Sequence, residues 1–397
     1  MTVPPGVVGA HAGGMETTHA AAGQRTWRLI DVAAGPGPGG GPLERLLDGP
    51  DGWALRGAEQ VGRAVAQETF GHADEAFEAA EYETKLRHQE DQLVRLAVAV
   101  EGADGDPDAV AGVALVFLPT SANQHLAEVD VMVRPDGRGR GLGAELLAWA
   151  EGVARDAGRG TVQSWVGFGE HATGPQVAPT TGTGTAPADL PGVRFALGRG
   201  YVVEQVERRS QLDVPVAPER LEAFAAEARG KADGYRTHVW HGHVPEEWAE
   251  PFAVLETRMS TDAPMGGLDW REDVWDAGRV RRNEQQIAEM GRDFVITAAE
   301  HEASGELAAM TMLTWHREPR EFAFQWDTIV LRAHRGHRLG MLVKAVNLQQ
   351  LAELRPSTRR VHTWNAEENS HMLAINVALG FRPAGGAAAV QKLLPPR

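Results

Sequence analysis

The chain contains one short pattern twice, with the two copies 197 residues apart. The first copy reads Val133-Arg-Pro-Asp-Gly-Arg138-Gly-Arg-Gly141-Leu-Gly143, and the second reads Val330-Leu-Arg-Ala-His-Arg335-Gly-His-Arg338-Leu-Gly340. Each copy follows an apolar, strand-like run and precedes an amphipathic, helix-like run. A basic, glycine-rich turn at a helix N-terminus is suited to a pyrophosphate, because main-chain N–H groups and the helix dipole both face the anion. The repeat therefore predicts two related domains with one ligand chemistry.

The domain organisation follows from the length and from the order of the elements. A chain of 397 residues favours more than one domain, and strands and helices alternate in the same order on both sides of Pro215, as in an α/β fold. The sequence predicts domains at 25–214 and 215–397, here called the first and second halves. Residues 1–24 lack apolar periodicity and are expected to be a disordered tail. The Gly/Thr/Pro-rich stretch 167–191 is expected to be a mobile insertion.

Composition excludes several classes of function. The chain has no cysteine, which rules out disulfides, thiolate nucleophiles and cysteine-based zinc sites. It shows neither a secretory signal nor an apolar run long enough for a membrane span, so a cytoplasmic protein with no membrane partner is expected. The net charge of −15 argues against nucleic acid as a partner. The same acidity favours a cationic acceptor such as an amine, or serves solubility alone.

The two turns carry the sequence's clearest resemblance. The first turn, Arg138–Gly143, resembles the Arg/Gln-x-x-Gly-x-Gly/Ala signature of the GNAT (Gcn5-related) N-acetyltransferases. The second turn, Arg335–Gly340, matches it except at Arg338, where glycine is expected. Asn365-Ala-Glu-Glu-Asn369 and Asn376-Val-Ala-Leu-Gly380-Phe381 look like the next motif of that family. The whole is similar to the tandem GNAT proteins of actinobacteria, a group that includes mycothiol synthase.

The resemblance implies a mixed sheet flanked by helices in each of two tandem GNAT domains. It implies acetyl-CoA, or another acyl-CoA, as a co-substrate bound where the fourth and fifth strands of a domain splay apart, and a primary amine as the acceptor. A small-molecule acceptor is favoured over a protein, and no metal is implied. The cofactor-binding residues implied are Val131, Val133, Arg138, Gly139, Arg140, Gly141, Leu142 and Gly143 in the first half, and Thr328, Val330, Arg335, Gly336, His337, Arg338, Leu339, Gly340 and Asn369 in the second.

Carboxylates on the fourth strand of each half are candidates for the proton acceptor. Glu128 and Asp130 lie on one face of their strand because side chains alternate along it, and Asp327 is the counterpart of Asp130. We predict Glu128 and Asp327 as catalytic residues. The alternative is that such a strand carboxylate only pairs with a neighbouring arginine.

The proton donor to the departing thiolate is the least defined part of the predicted site. The family often has a tyrosine four residues before its Gly-Phe pair, and here that position holds Asn376 in the second half and Ala196 in the first. Asn376 is the third catalytic candidate. The alternatives are that water or another group donates the proton, or that one domain is inactive. Because both motifs are recognisable there, the second half is the preferred catalytic domain. An acyl-CoA-binding module without turnover is the alternative function.

Two further features favour ordinary interpretations. His334-x-x-His337 and His241-x-His243 have the spacing of metal ligands but no accompanying carboxylate or thiolate set, so no metal site is predicted. The acidic segment 262–273 contains Trp270 and either holds a cationic acceptor or is an ordinary acidic loop.

Overall fold

The computed structural model of this protein describes residues 27–32 and 45–395, so the tail expected over 1–24 lies outside the described residues. The described strands are β1 Arg28–Val32, β2 Gln92–Val100, β3 Val110–Pro119, β4 Leu126–Val133, β5 Thr161–Gly169, β6 Gln176–Val177, β7 Ala186–Pro187, β8 Val202–Asp213, β9 Tyr235–His241, β10 Arg292–His301, β11 Glu306–His316, β12 Phe322–Val330, β13 Arg360–Ala366 and β14 Arg382–Leu393. The described helices are α1 Gly52–Phe70, α2 Ala79–Arg87, α3 Leu142–Asp156, α4 Pro191–Gly198, α5 Pro218–Arg229, α6 Glu246–Asp262, α7 Ala277–Glu289, α8 Leu339–Leu354 and α9 Ser370–Leu379.

Twelve of these strands form one sheet that runs through both halves. Its order is β1-β2-β3-β4-β5-β14-β8-β13-β12-β11-β10-β9. The pairs β4–β5 and β12–β13 are parallel, and the other neighbours are antiparallel. The α/β class and the mixed sheet predicted from the sequence are confirmed.

The two halves exchange strands at the centre of the sheet. The last strand, β14, lies between β5 and β8, while β8 pairs on its other edge with β13. The final strand of the chain therefore completes the sheet beside the first half, and a strand of the first half lies between two strands of the second. Hydrogen bonding continues across the predicted boundary at 214/215, which itself stays a prediction.

Each half contains one place where parallel strands separate. Leu126, Ala127 and Glu128 pair with β5, and the remainder of β4 does not. In the second half, only Phe322 to Phe324 pair with β13. Beyond these three-residue ladders, a V-shaped gap opens in the sheet of each half, as the resemblance implied.

Helices cover both faces of the sheet beside each gap. Leu142, Leu146 and Ala150 recur at helical spacing on α3 and are buried against the sheet. The other face of the first half is covered by α1 and α2, and the second half repeats this with α8 on one face and α6 and α7 on the other. No helix within the described residues combines the length and apolarity that crossing a bilayer requires.

The insertion expected over 167–191 is more ordered than its composition indicated. Its first three residues continue β5, because β14 supplies a pairing partner as far as Gly169. Further along, β6 and β7 pair as a small hairpin in which Ala186 is buried.

Candidate active site

The first turn forms a concave run of main-chain N–H groups. Gly139 and Gly141 have φ values of 77° and 95°, in the left-handed region that favours glycine. A Cβ at either position would meet no atom within 4 Å. From Gly139 to Gly143, the main-chain N–H groups have no acceptor among the described residues. Together with the N-terminus of α3, this arrangement suits a phosphate group.

The gap beside β4 receives two further main-chain donors. The Arg134 N–H bonds to Ala111 of β3, and the N–H direction alternates along a strand. The N–H groups of Val133 and Val131 therefore face away from β3, toward the gap. This is the placement that the resemblance implied for holding a thioester carbonyl.

A cleft of about 1750 Å³ joins the first turn to the gap. The predicted residues that line it are Val131, Val133, Arg138, Gly139, Gly141, Leu142 and Gly143. The cleft passes through the sheet and continues beside α1 and α2, where it is lined by Tyr82 and by the loop between those helices. Its volume is ample for a nucleotide-bearing thioester and an acceptor together.

Two arginines of the first turn point in different directions. The Arg138 guanidinium lies in the cleft and pairs with Glu68 of α1 at 2.6 Å. Arg140 turns away, donates to the Gly137 carbonyl and pairs with Glu101 at 2.7 Å. Arg138 is therefore the one of the two that lines the cleft, and both phosphate contacts stay predictions.

The carboxylates of β4 lie on the face of the sheet opposite the first turn. Glu128 and Asp130 alternate with Val131, which packs beneath α3. Burial raises the pKa of Asp130 to about 6, opposed by the charge of Lys85. Burial and the neighbouring Asp130 raise the pKa of Glu128 to about 7. Asp130 lines the cleft, whereas Glu128 lies deeper, where β4 still pairs with β5.

Tyr82 was not singled out by the sequence. It lies on α2, is 1% exposed and lines the cleft, and its hydroxyl has no hydrogen-bond partner among the described residues. Burial and the charge of Asp130 raise the Tyr82 pKa, so the hydroxyl stays protonated. The signal missed was the three-residue spacing that places Tyr82 and Lys85 on one face of α2.

The second turn has the same backbone path and different surroundings. Arg338 adopts the left-handed φ of 55° where the first turn has glycine, and its side chain pairs with Glu227 at 2.9 Å. Arg335 lies 3.6 Å from Asp262, and His337 is exposed against the ring of Tyr235. Gly336 and the rest of this turn line neither the cleft nor the smaller cavity described below.

The residues predicted for the second acyl-CoA site make contacts within the second half itself. Asn369 caps α9 by accepting from the Met372 N–H, and the buried Asn376 amide donates to Asn365 at 2.7 Å. A Cβ on Gly340 would lie 3.0 Å from Ile375 of α9. Thr328 bonds to Thr311 on β11, while Val330 and Leu339 belong to the apolar core. The roles predicted for Asn369 and Asn376 stay predictions.

Asp327 faces a second carboxylate rather than an open cleft. Burial raises the pKa of both Asp327 and Glu256, and Asp327 adds to the rise at Glu256. Neither residue lines the cleft. The pair resembles the desolvated carboxylates of the first half, without the space for a substrate.

A buried polar cluster between the halves was also missed by the sequence. His72, Asp74 and His362 bring three potential metal-ligand atoms within 4.8 Å of one another. Arg209 donates to ring nitrogens of both histidines, at 2.9 and 2.8 Å. Asp74 faces the opposite ring nitrogens of the two histidines, and the nearby guanidinium charge opposes a metal there.

Comparisons with known proteins place this geometry in a family. The model of the acetyltransferase (GNAT) family matches residues 63–172, which run from α1 past β5 and include the first turn. A solved tandem GNAT protein from the clavulanic acid biosynthesis pathway, determined without AcCoA, is 26% identical with a TM-score of 0.66, over 93% of this chain and 99% of that one. A GCN5-related N-acetyltransferase from Sphaerobacter thermophilus, 15% identical, shares the fold with a TM-score of 0.55, over 92% of this chain and 95% of that one. Comparison with curated protein sequences finds no match. Residues 63–172 therefore match the GNAT acetyltransferase family, and the chain as a whole has the tandem GNAT fold of the first of these solved structures.

Proposed function

We propose that this protein transfers an acyl group from an acyl-CoA to a primary amine in the cleft of the first half. One observation carries the proposal. The cleft joins an anion-binding turn on one face of the sheet to a carboxylate of raised pKa on the other face, through the gap beside β4. A donor thioester and an acceptor amine can therefore meet from opposite sides.

On the donor side, main-chain groups supply most of the binding. The N–H groups of the first turn and the Arg138 guanidinium hold the pyrophosphate. The N–H groups of Val131 and Val133 hold the thioester carbonyl, where negative charge develops as the amine attacks. These donors are fixed by the strand and do not need to reorganise.

On the acceptor side, Asp130 accepts the proton that the amine loses. The new N–C bond forms as the C–S bond breaks, and the proton gained by Asp130 balances the departing thiolate. A pKa of about 6 keeps this carboxylate ionised at neutral pH while leaving it basic enough to act. The Tyr82 hydroxyl donates a hydrogen bond to the thiolate as it forms.

The acceptor in this proposal is a small molecule. Asp130 is desolvated and is reached through a cavity between the two halves, which a side chain on a folded protein enters less readily than a free amine. We expect the reaction to occur in the cytoplasm. Proteins there rarely depend on disulfides for stability, so a chain without cysteine is suited to that compartment.

The test measures release of free CoA thiol from acetyl-CoA across a panel of primary amines, with the amide product identified by mass spectrometry. The wild-type protein is expected to release one thiol for each amide formed. Binding of acetyl-CoA with no thiol release across the panel would instead identify a non-catalytic acyl-CoA-binding module.

A further inference from the structure

A second cavity of about 470 Å³ lies beside β12, just past the point where this strand separates from β13. It is bounded by α7 of the second half and by α2 of the first half. Glu75, Phe77 and Trp364 line both this cavity and the cleft, so the two spaces adjoin. We call it the inter-half cavity.

Aromatic rings dominate the wall of the inter-half cavity. Four of the chain's 11 tryptophans contribute to it, together with two phenylalanines: Trp270, Trp275, Trp326, Trp364, Phe77 and Phe324. Trp326 lies in a β-bulge. Between the pairs Thr311–Thr328 and Leu313–Gln325, β12 has one more residue than β11. A bulge redirects side chains next to it, and Trp326 remains 37% exposed.

The carboxylates of this wall are already paired with cationic side chains. Glu81 pairs with Arg292, and Asp273 pairs with Arg279, each at 2.7 Å. Asp91 pairs with Arg282 at 2.6 Å. In the acidic segment 262–273, Asp262 likewise pairs with Arg332. The cavity therefore does not present an open carboxylate for a simple cation.

Hydrogen-bonding groups without a partner remain available in the same wall. Arg292 and Gln325 are 5% and 4% exposed, and the Arg292 Nη1 donor and the Gln325 Oε1 acceptor have no partner among the described residues. On α7, the side-chain amides of Asn283 and Gln286 are one turn apart and also make no hydrogen bond within the described part of the chain. A hydroxyl group, which both donates and accepts, matches this mixture of donors and acceptors.

The wall is held in place by bonds between the halves. The Asn123 side chain donates to the Arg271 carbonyl at 3.0 Å and accepts from the Arg271 N–H at 2.8 Å. His125 lies 3.0 Å from the Asp269 carbonyl. These contacts fix the segment that carries Trp270 against the first half, so the cavity is formed before a ligand arrives.

We propose that the inter-half cavity binds the body of the acceptor, a primary amine carried on a hydroxylated ring. The ring face stacks on tryptophan, and its hydroxyls bond to the amides of α7. The amine then extends past Phe77 and Lys85 toward Asp130 in the cleft. Lys85 lines the cavity, and its charge acts on both Glu128 and Asp130. This inference rests on the proposed function and assigns acceptor recognition largely to the second half.

The test uses matched pairs of amines that differ in hydroxylation. Glucosamine is compared with cyclohexylamine, and tyramine with phenethylamine, while putrescine serves as the linear amine. Binding is measured without acetyl-CoA by calorimetry and tryptophan fluorescence, and kcat/KM is measured with acetyl-CoA. A preference of about tenfold for the hydroxylated member is expected in one pair, and the pair that responds identifies the ring as sugar or phenol.

Variants test whether the preference for the hydroxylated amine arises in the inter-half cavity. Trp326→Ala and Asn283→Ala are expected to reduce the tenfold preference to less than about threefold, mainly through KM. Gln285→Ala, on the exposed side of the same helix, should leave it unchanged. Equal rates within both pairs, or a preference that both variants retain, would overturn the inference even if acyl transfer is observed. Ring binding that depends on Trp326, with no transfer to any amine, would instead overturn the proposed function and leave the cavity's ligand class standing.

Discussion

At Gly141 the first turn presents its main-chain N–H groups to an open cleft, whereas at Arg338 the second turn places a side chain that pairs with Glu227. The gap beside the first turn is open, and the cleft passes through it from one face of the sheet to the other. In the second half, Asn376 of α9 is bonded to Asn365 of β13. Two copies of one motif therefore have different surroundings.

The helices that follow the two turns also differ, because only the first one contributes a side chain to the cleft at the matching position. Leu147 on α3 lines the cleft, while the position with the same offset on α8 is Lys344, which is 1% exposed. Burial lowers the pKa of Lys344 to about 7. A repeated fold therefore does not require a repeated site. In our account the second half completes the sheet and forms the wall of the inter-half cavity.

The largest expected effect separates the two strand carboxylates. Asp130→Asn removes the proton acceptor of the cleft and is expected to lower kcat about 100-fold. Asp327→Asn, its matched control in the second half, should change kcat less than about twofold, because Asp327 does not line the cleft. Steady-state kinetics with one active amine measure both. The opposite ranking would place catalysis in the second half.

The pH profile provides a second check on the same carboxylates. The carboxylate must be ionised to accept a proton, and the pKa values of Asp130 and Glu128 are about 6 and 7. We expect kcat to rise between pH 5.5 and 7.5 and then level off, apart from any rise above about pH 8 from the amine itself. A profile that is flat through this range would contradict a base of raised pKa.

Tyr82→Phe removes the hydroxyl that is proposed to stabilise the departing thiolate. The hydroxyl lines the cleft without a partner, so its loss is expected to lower kcat about tenfold by removing a hydrogen bond to the thiolate. Acetyl-CoA affinity and the unfolding temperature should change little, since no described contact is broken. An unchanged kcat would mean that water or another group serves the thiolate.

Lys344→Met is expected to increase stability without affecting activity. The folded pKa of Lys344 is about 7 and the unfolded value is near 10.5, so the unfolded chain binds more protons between these values. Wild-type stability should therefore gain a contribution as pH rises from 7 to 10, and the variant should lose that dependence. At pH 7 the variant should be more stable by about 1 kcal/mol or more in denaturant unfolding. A decrease in stability would show that the ammonium is satisfied in the fold.

Local patterns predicted the parts of the molecule that depend on local sequence. The apolar run before Val133, the glycines at 139 and 141, and the helical spacing after Leu142 specify a strand, a turn and a helix in sequence order. The same reasoning located the second turn. Asn369, predicted to contact cofactor, caps a helix in the structure. A side chain that caps a helix and one that meets a ligand occur in the same sequence pattern.

Features that depend on distant pairing were beyond the sequence. The last strand was predicted as a strand, but its place between β5 and β8 follows from how the whole sheet assembles. The contact of His362 with Asp74 joins residues far apart in the chain. Trp326 and Asn283 line the same cavity although they lie on β12 and α7, two elements that are separate in the chain. Alternation and helical periodicity carry no information about such partners.

The most direct test of the central difference is calorimetric titration with acetyl-CoA of the wild-type protein and of Arg138→Ala and Arg335→Ala. We predict one bound acetyl-CoA per chain, affinity reduced about tenfold by Arg138→Ala, and affinity unchanged by Arg335→Ala. Two bound molecules per chain, or loss of binding on Arg335→Ala but not on Arg138→Ala, would contradict the assignment of the acyl-CoA site to the first half.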